Sequence, residues 1–306
     1  MESHRVLVTG CSGFLGRYVV QHLTLAGHEV VGFDLLEPKY PIDNFFKGDL
    51  TDKADLERVL DKASVVCHLG GIGDVYLAEK NPALAFRANA LGSKVLADVC
   101  AERQIEKLVY ASTWEVYGKS NQNPIDETHP CNPKTTYSIS KLAGELFIRG
   151  ADGLGGMRAI VLRLGTAYGP LMRESTVISR FIRRGIEHKP LTILGDGTQF
   201  RQFTHADDIA RGFELVVSSS APSQVYNMLS DEAITLFDLA TQIARHFGTT
   251  IDQGSPRLSE PPSVHVRVDK AWTEFGWRSS VRFADGLQAL IDAPEEVGAK
   301  RVVSSG

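Results

Sequence analysis

The stretch "RVLVTGCSGFLG" (5–16) decides how this chain is read. Its first half is a short apolar, β-branched run, the pattern of a strand buried on both faces. Its second half carries Gly10, Gly13 and Gly16 at even spacing, where the strand gives way to helical periodicity in "GFLGRYVVQHLTLAG" (13–27). Glycines at such a junction let the backbone turn tightly and approach an anion, toward which the free N–H groups of the helix's first turn point. The alternative is a tight strand–helix turn with no ligand.

Working outward, short β-rich runs at 5–10, 29–34, 44–50, 64–70, 107–112 and 158–165 alternate with helical stretches, notably 82–103 and 137–150. Near-continuous apolar strands between helices predict an α/β fold with a Rossmann-type, doubly wound parallel sheet covered on both faces. After Pro170 the rhythm changes, with helices predicted at about 175–186, 235–247 and 283–292 among short strands. Residues 207–228 read as helix then strand and return to the sheet. The expected organisation is a dinucleotide-binding domain over 1–169 with 206–229 returning to it. A smaller, discontinuous C-terminal α/β substrate lobe takes 170–205 and 230–295, followed by a frayed tail at 296–306.

Composition bounds the rest. The chain has 306 residues, 43% hydrophobic and 23% charged, as in an ordinary soluble protein. A net charge of −4 gives no basic footprint for nucleic acid or an anionic membrane, and neither is expected as a partner. Cys11, Cys67, Cys100 and Cys131 form no CxxC pair, so a reducing compartment is expected and no metal site. No apolar run approaches membrane-spanning length and no leader precedes the first strand, which makes a cytoplasmic location the default.

The second strand ends at Asp34, eighteen residues after Gly16. A carboxylate there can accept both hydroxyls of an adenosine ribose and would repel a 2′-phosphate, so NAD is favoured over NADP. Asp49 in "GDL" (48–50) can hydrogen-bond the adenine or act as a helix N-cap. "HLGG" (68–71) brings glycine backbone to the same place, and Asn89 lies in a helical run. The predicted cofactor set is Gly10, Gly13, Phe14, Leu15, Gly16, Asp34, Asp49, Leu50, Leu69, Gly70, Gly71, Asn89, Ser112, Tyr137 and Lys141.

In an open parallel sheet, chemistry gathers at the carboxyl ends of the strands. "YASTWEVYG" (110–118) ends the fifth strand at Thr113, and "YSISK" (137–141) puts Tyr137 and Lys141 at i and i+4 on one helix face. A phenol of pKa about 10 is a poor base at neutral pH, and a nearby ammonium favours its phenolate. Tyr137 is then placed to take a proton from a substrate hydroxyl, with Thr113 bridging the same oxygen. A Tyr-x-x-x-Lys pair standing alone would read as an amphipathic helix surface.

These motifs together resemble the extended short-chain dehydrogenase/reductases, and within them the nucleotide-sugar epimerase/dehydratase group, of the UDP-glucose 4-epimerase kind. The likeness covers nearly the whole chain: "TGCSGFLG", Asp34, "GDL", "HLGG", Asn89, "STWEVYG", "YSISK", "RLGTAYGP", "ILGDGTQFRQFTHADDIA" and "KAWTEFGW". It implies bound NAD, a nucleoside diphosphate sugar as substrate, transient oxidation of a sugar hydroxyl, usually at C4, and a homodimer through helices 82–103 and 137–150. It carries Thr113, Tyr137 and Lys141 over as the catalytic triad, and Arg201 and Arg257 as arginines that grip the diphosphate. Thr166 in "RLGTAYGP" stands where many relatives have an asparagine that contacts the diphosphate.

Glu115 leaves the reaction open. The resemblance implies that 4,6-dehydratases follow the threonine with an Asp-Glu pair, the glutamate removing a carbon-bound proton, and that nucleotide-glucuronate decarboxylases have Ser-Glu. This chain has Trp114-Glu115. The leading expectation is a C4 epimerase in which Glu115 shapes the loop. The alternatives are a dehydratase or decarboxylase using Glu115, an NAD(P)-dependent reductase of a small carbonyl, and a non-catalytic NAD-sensing module.

Overall fold

A computed structural model describes residues 3–255 and 263–298. The first half builds β1 (Arg5–Thr9), α1 (Phe14–Leu25), β2 (Glu29–Asp34), β3 (Asn44–Lys47), α2 (Lys53–Val59) and β4 (Val65–His68). It continues with α3 (Val75–Lys80), α4 (Pro82–Phe86), α5 (Gly92–Glu102), β5 (Lys107–Thr113), α6 (Thr136–Gly150) and β6 (Arg158–Leu164). The second half adds β7 (Thr166–Tyr168), α7 (Val177–Ile186), β8 (Leu191–Leu194), β9 (Phe200–Arg201), β10 (Phe203–His205) and α8 (Ala206–Val217). It closes with β11 (Val225–Met228), β12 (Ile234–Thr235), α9 (Leu236–Phe247), β13 (Ile251–Gly254), α10 (Asp269–Phe275) and α11 (Phe283–Asp292).

The central sheet has seven parallel strands in the order β11-β6-β5-β4-β1-β2-β3. The order reverses between β1 and β4, which opens a crevice at the carboxyl ends of those strands. Alternate side chains feed two apolar layers. Val6 and Val8 face α1 and α8 with Val19, Leu23 and Phe213. Leu7 and Val31 face the other side with Leu56, Leu96 and Ile148. A third core under α7, α9 and α11, around Phe181, Ile182, Ile243 and Leu287, lies apart from both. Its small sheets pair β10 with β7, β12 with β9 and β13 with β8.

Four local details differ from the sequence reading. The third strand ends at Lys47, and 48–50 is a loop. The helical run 82–103 is broken by a π-turn at Arg87–Leu91. Asp52, not Asp49, caps α2, its carboxylate accepting from the amides of Ala54 and Asp55. Of the tail expected to fray over 296–306, the first residues complete a 3₁₀ turn at Pro294–Val297 with Val297 buried, and 299–306 lie outside the described residues.

Lys107 shows how α8 is fixed to the sheet. Its buried ammonium donates to the carbonyls of Val216, Val217 and Ser219 at 2.7–2.9 Å, satisfying the C-terminal end of α8. Burial lowers its pKa to about 8. The folded protein therefore releases this proton before the unfolded chain does, so its share of stability grows as pH rises from about 8 toward the ordinary lysine value of about 10.4. Lys107→Met should cost about 1–3 kcal/mol by leaving helix carbonyls unpaired. In urea titrations across that alkaline window, the parent should gain on the variant as pH rises.

Candidate active site

The strand–helix junction is built by backbone proximity. Gly10 has φ +73, and a Cβ there would meet the Gly70 amide at 2.6 Å. A Cβ on Gly16 would lie 2.0 Å from the Gly10 carbonyl. Only glycine permits both approaches. Helix α1 starts at Gly13 with no side-chain cap, and Gly13, Phe14, Leu15 and Gly16 line a cavity of about 620 Å³. First-turn amides facing a cavity fit a diphosphate. Beside them, the Asp34 carboxylate accepts from the Ser12 amide at 3.0 Å and the Leu36 amide at 3.1 Å, so it is oriented at the end of β2. These residues fit a dinucleotide.

The cavity runs from this junction past the ends of β4, β5 and β6 to α7 and β8. Leu69, Gly71, Asn89, Ser112, Thr113, Glu115, Tyr137, Lys141, Thr166 and Arg201 all line it. Asp34, Asp49, Leu50 and Gly70 do not. The Asp49 carboxylate takes bonds from the Thr51 amide and hydroxyl and pairs with Arg87 at 2.9 Å, so it closes a turn. Arg257 lies outside the described residues.

Thr113 ends β5 and caps the 3₁₀ turn Trp114–Tyr117 by accepting from the Glu115 amide at 3.2 Å. Tyr137 enters from the first turn of α6, whose start is fixed by a capping box between Thr135 and Ser138. Burial and the Glu115 charge push the Tyr137 phenol up to about 12, against a hydrogen bond with Thr113 and the field of Arg173. Burial pulls Lys141 down to about 7, with Glu145 acting the other way. Its ammonium nitrogen sits 4.2 Å above the Tyr110 ring. Burial thus makes the ammonium of Lys141 give up its proton more readily than an ordinary lysine does. Trp114 is 4% exposed and packs with Tyr117, Ile125 and Leu229.

Several side chains at the site are not among the candidate residues named from the sequence. Arg173 lies in the loop before α7 and reaches the cavity beside Gly73. Asp74 faces it; burial raises the Asp74 pKa, but the Leu77 amide, the Ser175 hydroxyl and Arg173 together hold it low. Glu145 and Arg163 form a two-pronged buried ion pair, at 2.6 and 3.2 Å, and the Ser112 hydroxyl donates to the same carboxylate at 2.7 Å. Glu145 stands one turn beyond Lys141 on α6, but its partner lies on strand β6 and spacing does not reveal it.

Comparison with known proteins is consistent with this geometry. Residues 6–228, well over half the chain, match the model of the NAD dependent epimerase/dehydratase family. The chain belongs to that family, whose members act on nucleotide sugars as epimerases and dehydratases and use NAD. It is 28% identical to a dTDP-glucose 4,6-dehydratase of Streptomyces antibioticus, over 94% of this chain and 91% of that protein. It is also 28% identical to a putative UDP-glucose 4-epimerase of Methanocaldococcus jannaschii, over 94% and 97% of the two chains. Among solved structures, MoeE5 in complex with UDP-glucose and NAD superposes with a TM-score of 0.88 at 29% identity, covering 95% of this chain and 98% of that one. The UDP-glucuronic acid 4-epimerase of Bacillus cereus does so at 0.87 and 27%, covering 96% and 99%.

Proposed function

We propose that this chain is an NAD-dependent epimerase that inverts C4 of a nucleoside diphosphate sugar. What carries the reading is the convergence of Thr113, Tyr137 and Lys141 on one wall of a cavity that also holds the glycine junction and Arg201. When bound, NAD supplies the acceptor for the hydride of the sugar carbon and its donor on return. Tyr137 exchanges a proton with the sugar hydroxyl, and Thr113, hydrogen-bonded to the phenol, holds the two oxygens together. Lys141, poised near neutrality, supports the developing charge on that oxygen and holds the cofactor's ribose. Arg201, 8% exposed on β9, offers its guanidinium to the diphosphate, with Arg257 as its expected partner and Thr166 beside them.

Trp114 favours the epimerase over a dehydratase. It occupies the position where the resemblance to dehydratases places an acid, and its ring is committed to packing. A second reading, proton removal from carbon by Glu115, is favoured by one observation: Glu115 lines the cavity close enough for its charge to raise the Tyr137 pKa.

Leu84, Leu91, Ile139, Leu146 and Phe147 are 41–55% exposed on the α4–α5 and α6 segments, which pack on each other. Such an apolar face supports the homodimer that the family resemblance implies. Light scattering should give the mass of two chains, and a monomer at micromolar concentration would remove this part of the reading.

Asp34 should discriminate between cofactors. Asp34→Ala should weaken NAD more than NADP in calorimetry, and tighter NADP binding by the parent would contradict the assignment. Solvent exchange separates the two reactions. An epimerase run in deuterated water should yield product without carbon-bound deuterium, and Glu115→Gln should keep most of the activity. Carbon-bound deuterium, with Glu115→Gln halted at the keto sugar, would establish the second reading instead.

A further inference from the structure

His68 ends β4 directly before the cofactor loop and is fully buried. Both ring nitrogens are engaged: Nδ1 lies 2.7 Å from the Thr9 hydroxyl and Nε2 lies 2.9 Å from the Ser93 hydroxyl. The outer bonds of this chain have forced directions. The Gly70 amide can only donate, and it donates to the Thr9 oxygen at 3.1 Å. The Asn89 carbonyl can only accept, and it accepts from the Ser93 hydroxyl at 2.7 Å. With its proton committed to Asn89, Ser93 must accept from Nε2–H, and the bare Nδ1 then accepts from Thr9. The opposite tautomer leaves the Thr9 proton without a partner and takes the Ser93 proton away from Asn89.

The chain ends at a second junction. Asn89 sits in the π-turn that interrupts the helical run, a feature often found at functional sites. Its side chain accepts from the Ile72 amide at 2.7 Å and donates to the Ile72 carbonyl at 3.0 Å. The same amide nitrogen donates to the Ser140 hydroxyl at 2.9 Å, which in turn donates to the Tyr137 carbonyl at 2.8 Å. One run of bonds thus joins Gly70 and Ile72, on either side of Gly71, to the turn of α6 that carries Tyr137. Thr9, His68, Ser93, Asn89 and Ser140 are each no more than 1% exposed, so water does not compete for these groups. Burial pushes the imidazole down to about 3, and the nearby Lys141 charge acts the same way, so the ring keeps one proton across the physiological range. The other groups around it, Tyr110 at 5.3 Å between ring centres and the Thr9 and Ser93 hydroxyls, are neutral.

We propose that His68 is a positioning residue: locked as the neutral Nε2–H tautomer, it sets one direction of hydrogen bonding from the Gly70 amide to the Asn89 carbonyl and so registers the cofactor loop against the helix of Tyr137. The roles of cofactor loop and Tyr137 are those of the function proposed above; the tautomer itself is independent of them.

Nitrogen-15 NMR of the histidine-labelled protein, without ligand, reads the tautomer. The expected spectrum for His68 has a protonated, pyrrole-like Nε2 and a bare, pyridine-like Nδ1, unchanged from pH 5.5 to 8 as order-of-magnitude bounds around the ordinary histidine pKa. A protonated Nδ1 or an imidazolium would overturn the proposal. His68→Leu, which keeps apolar bulk and removes both bonds, should bind NAD about ten- to a hundred-fold more weakly, the range for buried donors and acceptors left unpaired. It should also lower kcat while leaving KM for the nucleotide sugar unchanged, and His68→Gln, which restores a donor toward Ser93, should recover part of both losses. A folded His68→Leu protein with parental NAD affinity and kcat would also overturn it. If that variant does not fold, the tautomer of the parent protein decides. Failure of the parent to bind NAD would refute the proposed function and leave the tautomer measurement standing.

Discussion

The buried pairing of Arg163 with Glu145 is the constraint on which the site's geometry depends. Arg163 rises from β6 and Glu145 descends from α6, 2% and 0% exposed, and their charges meet through bonds of 2.6 and 3.2 Å. The Tyr117 ring covers the guanidinium at 4.6 Å, and Ser112 fills a remaining lone pair of the carboxylate. Two charges so far from water are tolerable only as a pair; removing one partner from such a pair typically costs about 3–5 kcal/mol. Because Lys141 lies one turn before Glu145 and Tyr137 one turn before that, the ion pair fixes the height and rotation of α6 over the sheet. It also couples to the tip of β5 through Ser112, the residue before Thr113. Both walls of this corner of the cavity therefore share one anchor.

Around that anchor, one side of the cavity is built from backbone and the other from long side chains. Gly10 and Gly16 let loops approach to distances that no Cβ would allow. Across the crevice, Arg173, Arg180 and Arg201 enter the cavity from segments that belong with the smaller core. The division suits a protein that recognises its cofactor by shape and a charged second ligand by guanidinium groups.

The parts legible in the sequence were those with a local signature. The strand–glycine–helix junction, the alternation behind the seven-stranded sheet and the i, i+4 placement of Tyr137 and Lys141 depend on spacing along one element. What spacing could not give was partnership across elements. Glu145 reads as an ordinary helix carboxylate until Arg163 is seen beneath it, and His68 as one polar residue in an apolar strand until Thr9 and Ser93 flank it. Asp49 in "GDL" (48–50) reads as a helix cap; the chain turns so that Asp52 meets the amides of α2 instead. The burial of Lys141, 6% exposed against Tyr110, is likewise a property of the packed core that spacing does not show.

The central claim is that one sugar carbon gives up hydride and takes it back while the protein keeps its cofactor. It is tested most directly by incubating the purified protein, with no added cofactor, with a panel of nucleoside diphosphate sugars deuterated at C4, and following products by NMR. The account predicts that one member is converted to its C4 epimer with the deuterium still on C4. Loss of the label from C4, or conversion of every accepted sugar to a deoxygenated or decarboxylated product, would contradict it.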